Sequence, residues 1–320
     1  MKRITPEDVG RRVSVRRELP QEGPGPTYGD VVGDLTGWHD GVLTITRRDG
    51  SVARVPEATI VAGKVVPPPV RRLTPALLQD VMGRSWPPTD AAVLGEWMLR
   101  AADGFTRRAN SVLVLGDPGT PFAEALDRVN VWYAERALPT LFQVVVGDPW
   151  DRFLADAGWP AEAETLVRTG RLVRMVDALR DVDAAGVEVA ERVDDAWLGR
   201  YRRVAGTAGA TERHVVQGPS GTAFASVPDP VGGPPIAIGR VAVRGRYAGF
   251  SAVEVDPAHR RHGLARAVMR ALTDHACARG AVTGWLQVEV DNEPARALYD
   301  GLGFTDHHVY HYRRPPQARP

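Results

Sequence analysis

Cysteine is nearly absent from this chain. Cys277 is the only one among 320 residues, so no disulfide can form within the chain, and the sequence fits a reducing, cytoplasmic setting. Lysine is almost as scarce, at Lys2 and Lys64, and arginine carries the remaining positive charge. We read that bias as a mark of GC-rich coding and not as a phosphate-binding surface. Basic and acidic residues nearly cancel, 40 against 39, which points to neither nucleic acid nor a membrane surface as a partner. No apolar run approaches the roughly 20 residues of a membrane span. The segment from Met1 to Asp8 lacks the apolar core of a secretory signal. The hydrophobic share of 43% and charged share of 25% are ordinary, and the length allows two or three domains.

What is present concentrates near the C-terminal end. An apolar strand-like run, Phe250 to Val255, feeds into Asp256-Pro257-Ala258-His259-Arg260-Arg261-His262-Gly263-Leu264-Ala265. A helix-like run from Leu264 to Arg279 leaves it. Arg260, Gly263 and Ala265 have the spacing R-x-x-G-x-A. A glycine at the first helical turn lets backbone amides approach a phosphate closely, and the helix N-terminus adds unpaired donors and a favourable dipole. Arg260 and Arg261 add positive charge. The segment reads as a pyrophosphate cradle; taken alone, it also fits a plain strand-turn-helix joint.

A second strand, Trp285 to Val290, follows, and then Asp291-Asn292-Glu293-Pro294-Ala295-Arg296-Ala297-Leu298-Tyr299-Asp300-Gly301-Leu302-Gly303-Phe304. Asn292 is a good N-cap, and Pro294 sits in the first turn, where its missing N–H costs nothing. Ala295, Leu298 and Leu302 form an apolar stripe, and Gly303 ends the helix.

The two motifs in this order, R-x-x-G-x-A and then N-x-x-A-x-x-L-Y-x-x-L-G-F, resemble the GNAT superfamily of acetyl-CoA-dependent N-acetyltransferases over about residues 186 to 316. The resemblance implies a direct-transfer enzyme with acetyl-CoA as co-substrate and no metal. It implies that the amides of Arg260, Arg261, His262, Gly263, Leu264 and Ala265 hold the pyrophosphate. It implies that the backbone at Val253 and Val255 pairs with the pantetheine arm, and that Asn292 and Tyr299 face the cofactor. Tyr299 is then the acid that reprotonates the departing thiolate; its bland alternative is a helix tyrosine with a satisfied hydroxyl. Some relatives carry a carboxylate base where this chain has Gln287, and an amide cannot serve. Glu289, two residues on and on the same strand face, is the preferred base, with Glu254 second. Either glutamate is equally a solvated surface carboxylate.

His259, His262, His307, His308 and His311 match no compact metal-ligand spacing. His307 and His311 share one face of the last strand, where a structural or acceptor-lining role is expected.

Residues 1–70 read as a small SH3-like β-barrel. Short β-rich runs at Val13–Arg17, Val31–Thr36, Val42–Arg47 and Ser51–Val55 are punctuated by Asp40-Gly41 and Asp49-Gly50. The barrel is either a docking or oligomerisation module or a stabilising appendage. Pro67-Pro68-Pro69 marks a stiff boundary, and residues 71–90 read as a linker.

Residues 91–180 read as a degenerate copy of the later fold, within an α/β (α+β) chain whose catalytic domain spans 186–320. Leu141-Phe142-Gln143-Val144 parallels Trp285-Leu286-Gln287-Val288, and Ala157-Gly158-Trp159 parallels Leu302-Gly303-Phe304. This first copy has Gly116 to Pro121 in place of the cradle, and Leu154 in place of the tyrosine. Only the second copy is therefore expected to bind acetyl-CoA. The arrangement resembles an actinobacterial-type group of tandem GNAT proteins with a branch associated with N-acetylglutamate synthesis. Arg107, Arg108 and Asn110, a polar cluster in the first copy, are candidates for clamping an acceptor carboxylate, or else a solvated hairpin. The expected acceptor is a small-molecule amine such as glutamate. The alternatives are a protein, lysine or antibiotic-amine acetyltransferase, a mycothiol-synthase-like enzyme, and a non-catalytic acyl-CoA-binding regulator.

Overall fold

The computed structural model describes residues 4–20, 25–47, 51–66, 73–204 and 206–316. The Asp49-Gly50 turn and the Pro67-Pro68-Pro69 boundary lie outside them. The chain divides into two compact units, residues 1–72 and 73–320.

In the first unit, β1 (Arg12–Glu18), β2 (Tyr28–His39), β3 (Val42–Thr46), β4 (Val52–Pro56) and β5 (Ile60–Val65) form one antiparallel sheet in the order β4-β3-β2-β1-β5. Alternation drives the layout. Val13, Val15, Val31, Leu35, Leu43, Ile45 and Val55 point inward, and polar neighbours point out. Asp40 and Gly41 both take positive φ, 49° and 69°, as a tight two-residue hairpin requires.

The second unit opens with α1 (Pro75–Ser85), inside the stretch the sequence suggested was a linker. Thr74 caps it by accepting from the Leu77 amide, and Leu78, Val81 and Met82 are buried. The interval therefore carries core, and its prolines only bracket the helix. The first copy follows: β6 (Asp90–Leu94), β7 (Trp97–Ala101), β8 (Val112–Val114), α2 (Phe122–Ala134), β9 (Phe142–Val145), α3 (Pro149–Asp156) and β10 (Ala161–Arg171). Next come α4 (Leu172–Ala178), β11 (Glu188–Ala190), α5 (Asp195–Arg200) and α6 (Ala210–Gln217). The second copy completes the unit: β12 (Thr222–Val227), β13 (Ala237–Arg244), β14 (Tyr247–Val255), α7 (Leu264–Ala278), β15 (Thr283–Glu289), α8 (Glu293–Asp300) and β16 (Thr305–Arg313).

Both copies share one 11-stranded sheet, in the order β11-β12-β13-β14-β15-β10-β16-β9-β8-β7-β6. That order contains an exchange. The last strand of the first copy, β10, pairs with β15 of the second. The last strand of the second copy, β16, pairs with β9 of the first. The two exchanged strands then pair with each other. Each copy also holds a parallel pair, β8·β9 and β14·β15. The duplication is thus visible in topology, and its two halves are interlocked.

The sheet is covered on both faces. Leu166, Phe250, Leu286 and Val288 pack with Val268, Met269 and Leu272 of α7 and with Leu172 and Met175 of α4. On the other face Val167, Trp285, Tyr310 and Tyr312 pack with Leu78, Val81 and Met82 of α1. Neighbours such as Trp285 and Leu286 go to opposite sides, as the strand period of two demands.

A buried polar chain fixes α1. Arg100 Nη2 donates to Gln143 Oε1 at 2.9 Å, and Gln143 Nε2 donates to Gln79 Oε1 at 2.7 Å. Gln79 Nε2 lies 2.9 Å from His308 Nε2, His308 Nδ1 lies 2.7 Å from His307 Nδ1, and His307 Nε2 lies 2.9 Å from the Leu73 carbonyl. A carbonyl only accepts, so His307 carries its proton on Nε2 and every bond in the chain runs one way. Both imidazoles are then neutral, and burial with the neighbouring His307 lowers His308 to about 4.

Candidate active site

Strands β14 and β15 pair in parallel only from Tyr247·Thr283 to Phe250·Leu286. From Ser251 onward β14 leaves its neighbour. A bulge against β13, with Ala252 at φ 52°, bends it there. A cavity of about 630 Å³ opens in the gap. Both copies wall it. The second supplies Val253, Glu254, Gln287, Glu289, Asn292 and Tyr299, and the first supplies Arg107, Arg108 and Glu164.

Beyond the strand, Asp256 accepts from the Ala258 amide and turns the chain into α7. Arg261 and Gly263 take φ of 68° and 79°. This left-handed geometry is natural for Gly263 and costly for most other residues. The amides of Arg261, His262, Gly263, Leu264 and Ala265 donate to no acceptor among the described residues. A row of free amides before a 15-residue helix fits a pyrophosphate.

The first copy shows why its equivalent does not fit. The Asp117 amide already donates to the Glu96 carboxylate at 2.9 Å, and the Gly119 amide to Asp117 Oδ1 at 2.6 Å. Two carboxylates thus stand where a phosphate would need to be. Trp97, Phe122, Trp150 and Phe153 also pack together there, Phe122 stacked on Trp150 and the other pairs edge to face. Trp150 takes the place that Ala295 has in the second copy.

Asn292 caps α8 by accepting from the Ala295 amide at 3.2 Å, and it lines the cavity. Tyr299 also lines it, and its hydroxyl has no hydrogen-bond partner among the described residues. Burial pushes Tyr299 up to about 12, so the hydroxyl stays protonated. Glu254 is nearly buried and accepts from both the backbone and side chain of Arg202. Glu289 is exposed, with a looser contact of 3.7 Å to Arg203.

Among the three residues expected to clamp an acceptor, two line the cavity and one does not. Arg107 reaches the rim but pairs with Glu162 at 3.0 Å. Asn110 is buried and bonded to the backbone at Ala102, Gly104, Phe105 and Thr106. It shapes the loop that presents the arginines and is not free to bind a ligand. Arg108 is half-buried, lies 5.0 Å over the Trp86 ring, and forms no ion pair among the described residues. Burial opposes its charge, but Tyr310, Tyr201, Tyr312 and Glu289 outweigh this and raise its pKa.

Of the structural or acceptor-lining role expected of His307 and His311, the contacts fit the structural one, and it is Tyr310 and Tyr312 that line the cavity. His311 is buried against Asp151 at 2.6 Å, and His307 is bonded to Leu73. Sequence reading also missed Ser251, which accepts from the buried Arg240 at 3.4 Å. An arginine eleven residues before a serine occurs in both copies, Arg100/Ser111 and Arg240/Ser251, and that repeat was the available signal. Burial brings Arg240 down to about 9. Among the described residues no cluster of His, Cys, Asp and Glu is arranged to hold a metal, and no helix is long and apolar enough to cross a membrane.

Comparison with known proteins finds likenesses over most of the chain. A family model described as "Probable histone acetyltransferase Rv0428c C-terminal" matches residues 77–313, and "Rv0428c N-terminal Sm-like domain" matches residues 7–64. The small β-domain thus has an Sm-like counterpart. The chain is 29% identical to the probable histone acetyltransferase Rv0428c of Mycobacterium tuberculosis, across 95% of this chain and 94% of that protein. It is 28% identical to the uncharacterized N-acetyltransferase YobR of Bacillus subtilis, across 74% of this chain and 96% of that protein. A GCN5-related N-acetyltransferase from Kribbella flavida superposes with a TM-score of 0.56 at 18% identity, covering 77% of this chain and 98% of its own. A tandem GNAT protein from the clavulanic acid biosynthesis pathway gives 0.53 at 16%, covering 78% and 90%.

Proposed function

The chain belongs to the GNAT N-acetyltransferases, in the family of the Rv0428c C-terminal region, and from that premise we propose that it acetylates a small amine bearing a carboxylate, with glutamate the first candidate. The observation that carries this reading is Arg108, a cation with no ion pair among the described residues, in a cavity lined by both copies. Its surroundings keep the guanidinium charged, and a carboxylate matches its planar fork.

Acetyl-CoA supplies the activated acetyl group. The amides from Arg261 to Ala265 and the charge of Arg260 hold its pyrophosphate. The open edge of β14 at Val253 and Val255 aligns the pantetheine arm, and an amide near Val255 polarises the thioester carbonyl. Glu289 accepts the proton of the acceptor ammonium, directly or through water. Tyr299 returns a proton to the coenzyme sulfur. Holding amine and thioester together supplies the rest of the advantage.

The test is acetyl-CoA consumption by the full chain over amino acids, each paired with its carboxamide, together with lysine peptides and amino sugars. Turnover is expected with glutamate or a similar acid and is lost with the amide. Robust turnover of lysine peptides or carboxylate-free amines, with none for glutamate, overturns the acceptor assignment and leaves the acetyltransferase activity standing.

A further inference from the structure

Gln287 takes the place where a base was sought, and its surroundings give it a different task. The 144-residue shift that relates the copies pairs it with Gln143. Both side chains lie on the sheet face that α1 covers, and both have the carbonyl end occupied by a donor. Arg100 Nη2 donates to Gln143 Oε1 at 2.9 Å, and the Tyr310 hydroxyl donates to Gln287 Oε1 at 2.5 Å. Their amide ends differ. Gln143 Nε2 donates to Gln79 Oε1, a carboxamide carried in from α1. Gln287 Nε2 donates to no acceptor among the described residues, and it lines the cavity.

The first copy therefore holds an internal stand-in for a ligand. Gln79 presents an sp² oxygen to Gln143, and no described residue does so for Gln287. With Tyr310 holding the carbonyl end, the amide end of Gln287 faces the cavity and can only donate. Its neighbours across the gap point the same way. Arg108 only donates. Ser251 Oγ accepts from Arg240, which leaves its own proton to give. These three donors line one cavity, and a ligand that brings acceptor oxygens would complete them.

The geometry points to Gln287 as a specificity-determining residue that donates to an oxygen of the acceptor's carboxylate, with Tyr310 as the positioning residue that fixes its orientation. This rests on the carboxylate-acceptor reading above. It also explains why a glutamate is not found at this position. A carboxylate beside Tyr310 would face the acceptor's own negative charge.

Q287E and the near-isosteric Q287M, each in the full chain, provide the test. Both are checked for fold by their thermal midpoints, so that Q287M answers if Q287E does not fold. In Q287E the KM for glutamate should rise by about a hundredfold, with the acetyl-CoA KM unchanged. In Q287M the rise should be about tenfold. Y310F should also raise the acceptor KM more than it lowers kcat, because the amide is freed to turn. Glutamate turnover with an unchanged acceptor KM in both Gln287 variants overturns this inference alone. So does a kcat raised by Q287E, which would mark the position as a base site. Turnover confined to acceptors without a carboxylate overturns the reading beneath it as well.

Discussion

Arg168 and Arg313 stand 145 residues apart on the two exchanged strands, and each reaches across to the helix end of the opposite copy. Arg313 Nη1 donates to the Trp159 carbonyl at 2.7 Å, and Arg168 Nη2 donates to the Phe304 carbonyl at 3.2 Å. Trp159 and Phe304 are themselves matched by the same shift. Each follows a glycine with φ near 80°, Gly158 and Gly303, and each donates its amide five residues back, to Leu154 and Tyr299. The strand exchange is thus fastened twice by the same device.

Removing one fastener should show what it contributes. Arg168 is almost fully buried and also meets Asp300 at 2.5 Å and Asp306 at 2.8 Å. R168A leaves two carbonyls, those of Arg296 and Phe304, without their donor. The expected loss is about 2–4 kcal/mol. The thermal midpoint should fall by several degrees. A midpoint unchanged within error would mean that the exchange is held by packing alone.

The strand-turn-helix geometry of the proposed cradle was legible from the sequence because its determinants are local. A glycine at a turn, a strand before it and a helix after it all lie within about twenty residues. Replacing Gly263 by valine places a β-branched side chain at φ 79°, where only strain of about 1–3 kcal/mol would hold it. Coenzyme A affinity, measured by titration calorimetry, should fall tenfold or more while the fold persists. Undiminished affinity would remove the cradle from the site.

The helix that carries Tyr299 was legible for the same reason. Asn292, Pro294 and the stripe of Ala295, Leu298 and Leu302 fix it. Y299F should cut turnover about a hundredfold and leave acetyl-CoA binding nearly intact. The sign of the pH dependence follows from its environment. The acid form is the active one, and with burial raising the group to about 12 it is lost only as pH rises through that value. The rate should therefore show no decline from this residue up to pH 10. A basic limb near pH 9 that disappears in Y299F would mean the hydroxyl is a readier acid than its burial implies.

What the sequence hid was long-range. Nothing local says that β10 will insert between β15 and β16, because strand partners are chosen by whole-sheet registration. Asn110 looked like a ligand because it follows two arginines, yet its four backbone bonds are invisible until the loop closes around it. Helix α1 was hidden by the prolines on both sides, although Leu77, Leu78, Val81 and Met82 carry helical spacing. Strand alternation alone does not say which face of β16 meets the cavity, because bulges between β10 and β16 lie among these positions; Tyr310 and Tyr312 line it.

The two candidate bases can be separated by mutation. Arg202 holds Glu254 through two donors, which ties the carboxylate down. Glu289 keeps more freedom beside Arg203. E289Q should therefore depress kcat/KM more than E254Q does. The deficit should grow as pH falls, since deprotonating the acceptor is then hardest. A larger, pH-dependent defect in E254Q reverses the ranking. Flat profiles in both would assign the free amine to solution ionisation.

Arg108 gives the most direct test of the acceptor. Its neighbours are three tyrosines, one tryptophan face and one glutamate, and no carboxylate among the described residues pairs with it. Arg107, one residue earlier, spends its charge on Glu162. The two arginines should therefore respond differently. R108A removes a charge-assisted contact of about 1.5–3 kcal/mol, so the KM for glutamate should rise roughly 10- to 150-fold while the acetyl-CoA KM barely moves. R107A should change the acceptor KM several-fold at most, because an exposed ion pair contributes little. R108K is the sharper control. It keeps the charge but loses the planar fork and its stacking on Trp86, so it should recover only part of the affinity. Full recovery by lysine would mean that charge alone recruits the acceptor. Equal losses in R107A and R108A would mean that neither arginine grips the acceptor individually and that the loop acts as a diffuse positive rim.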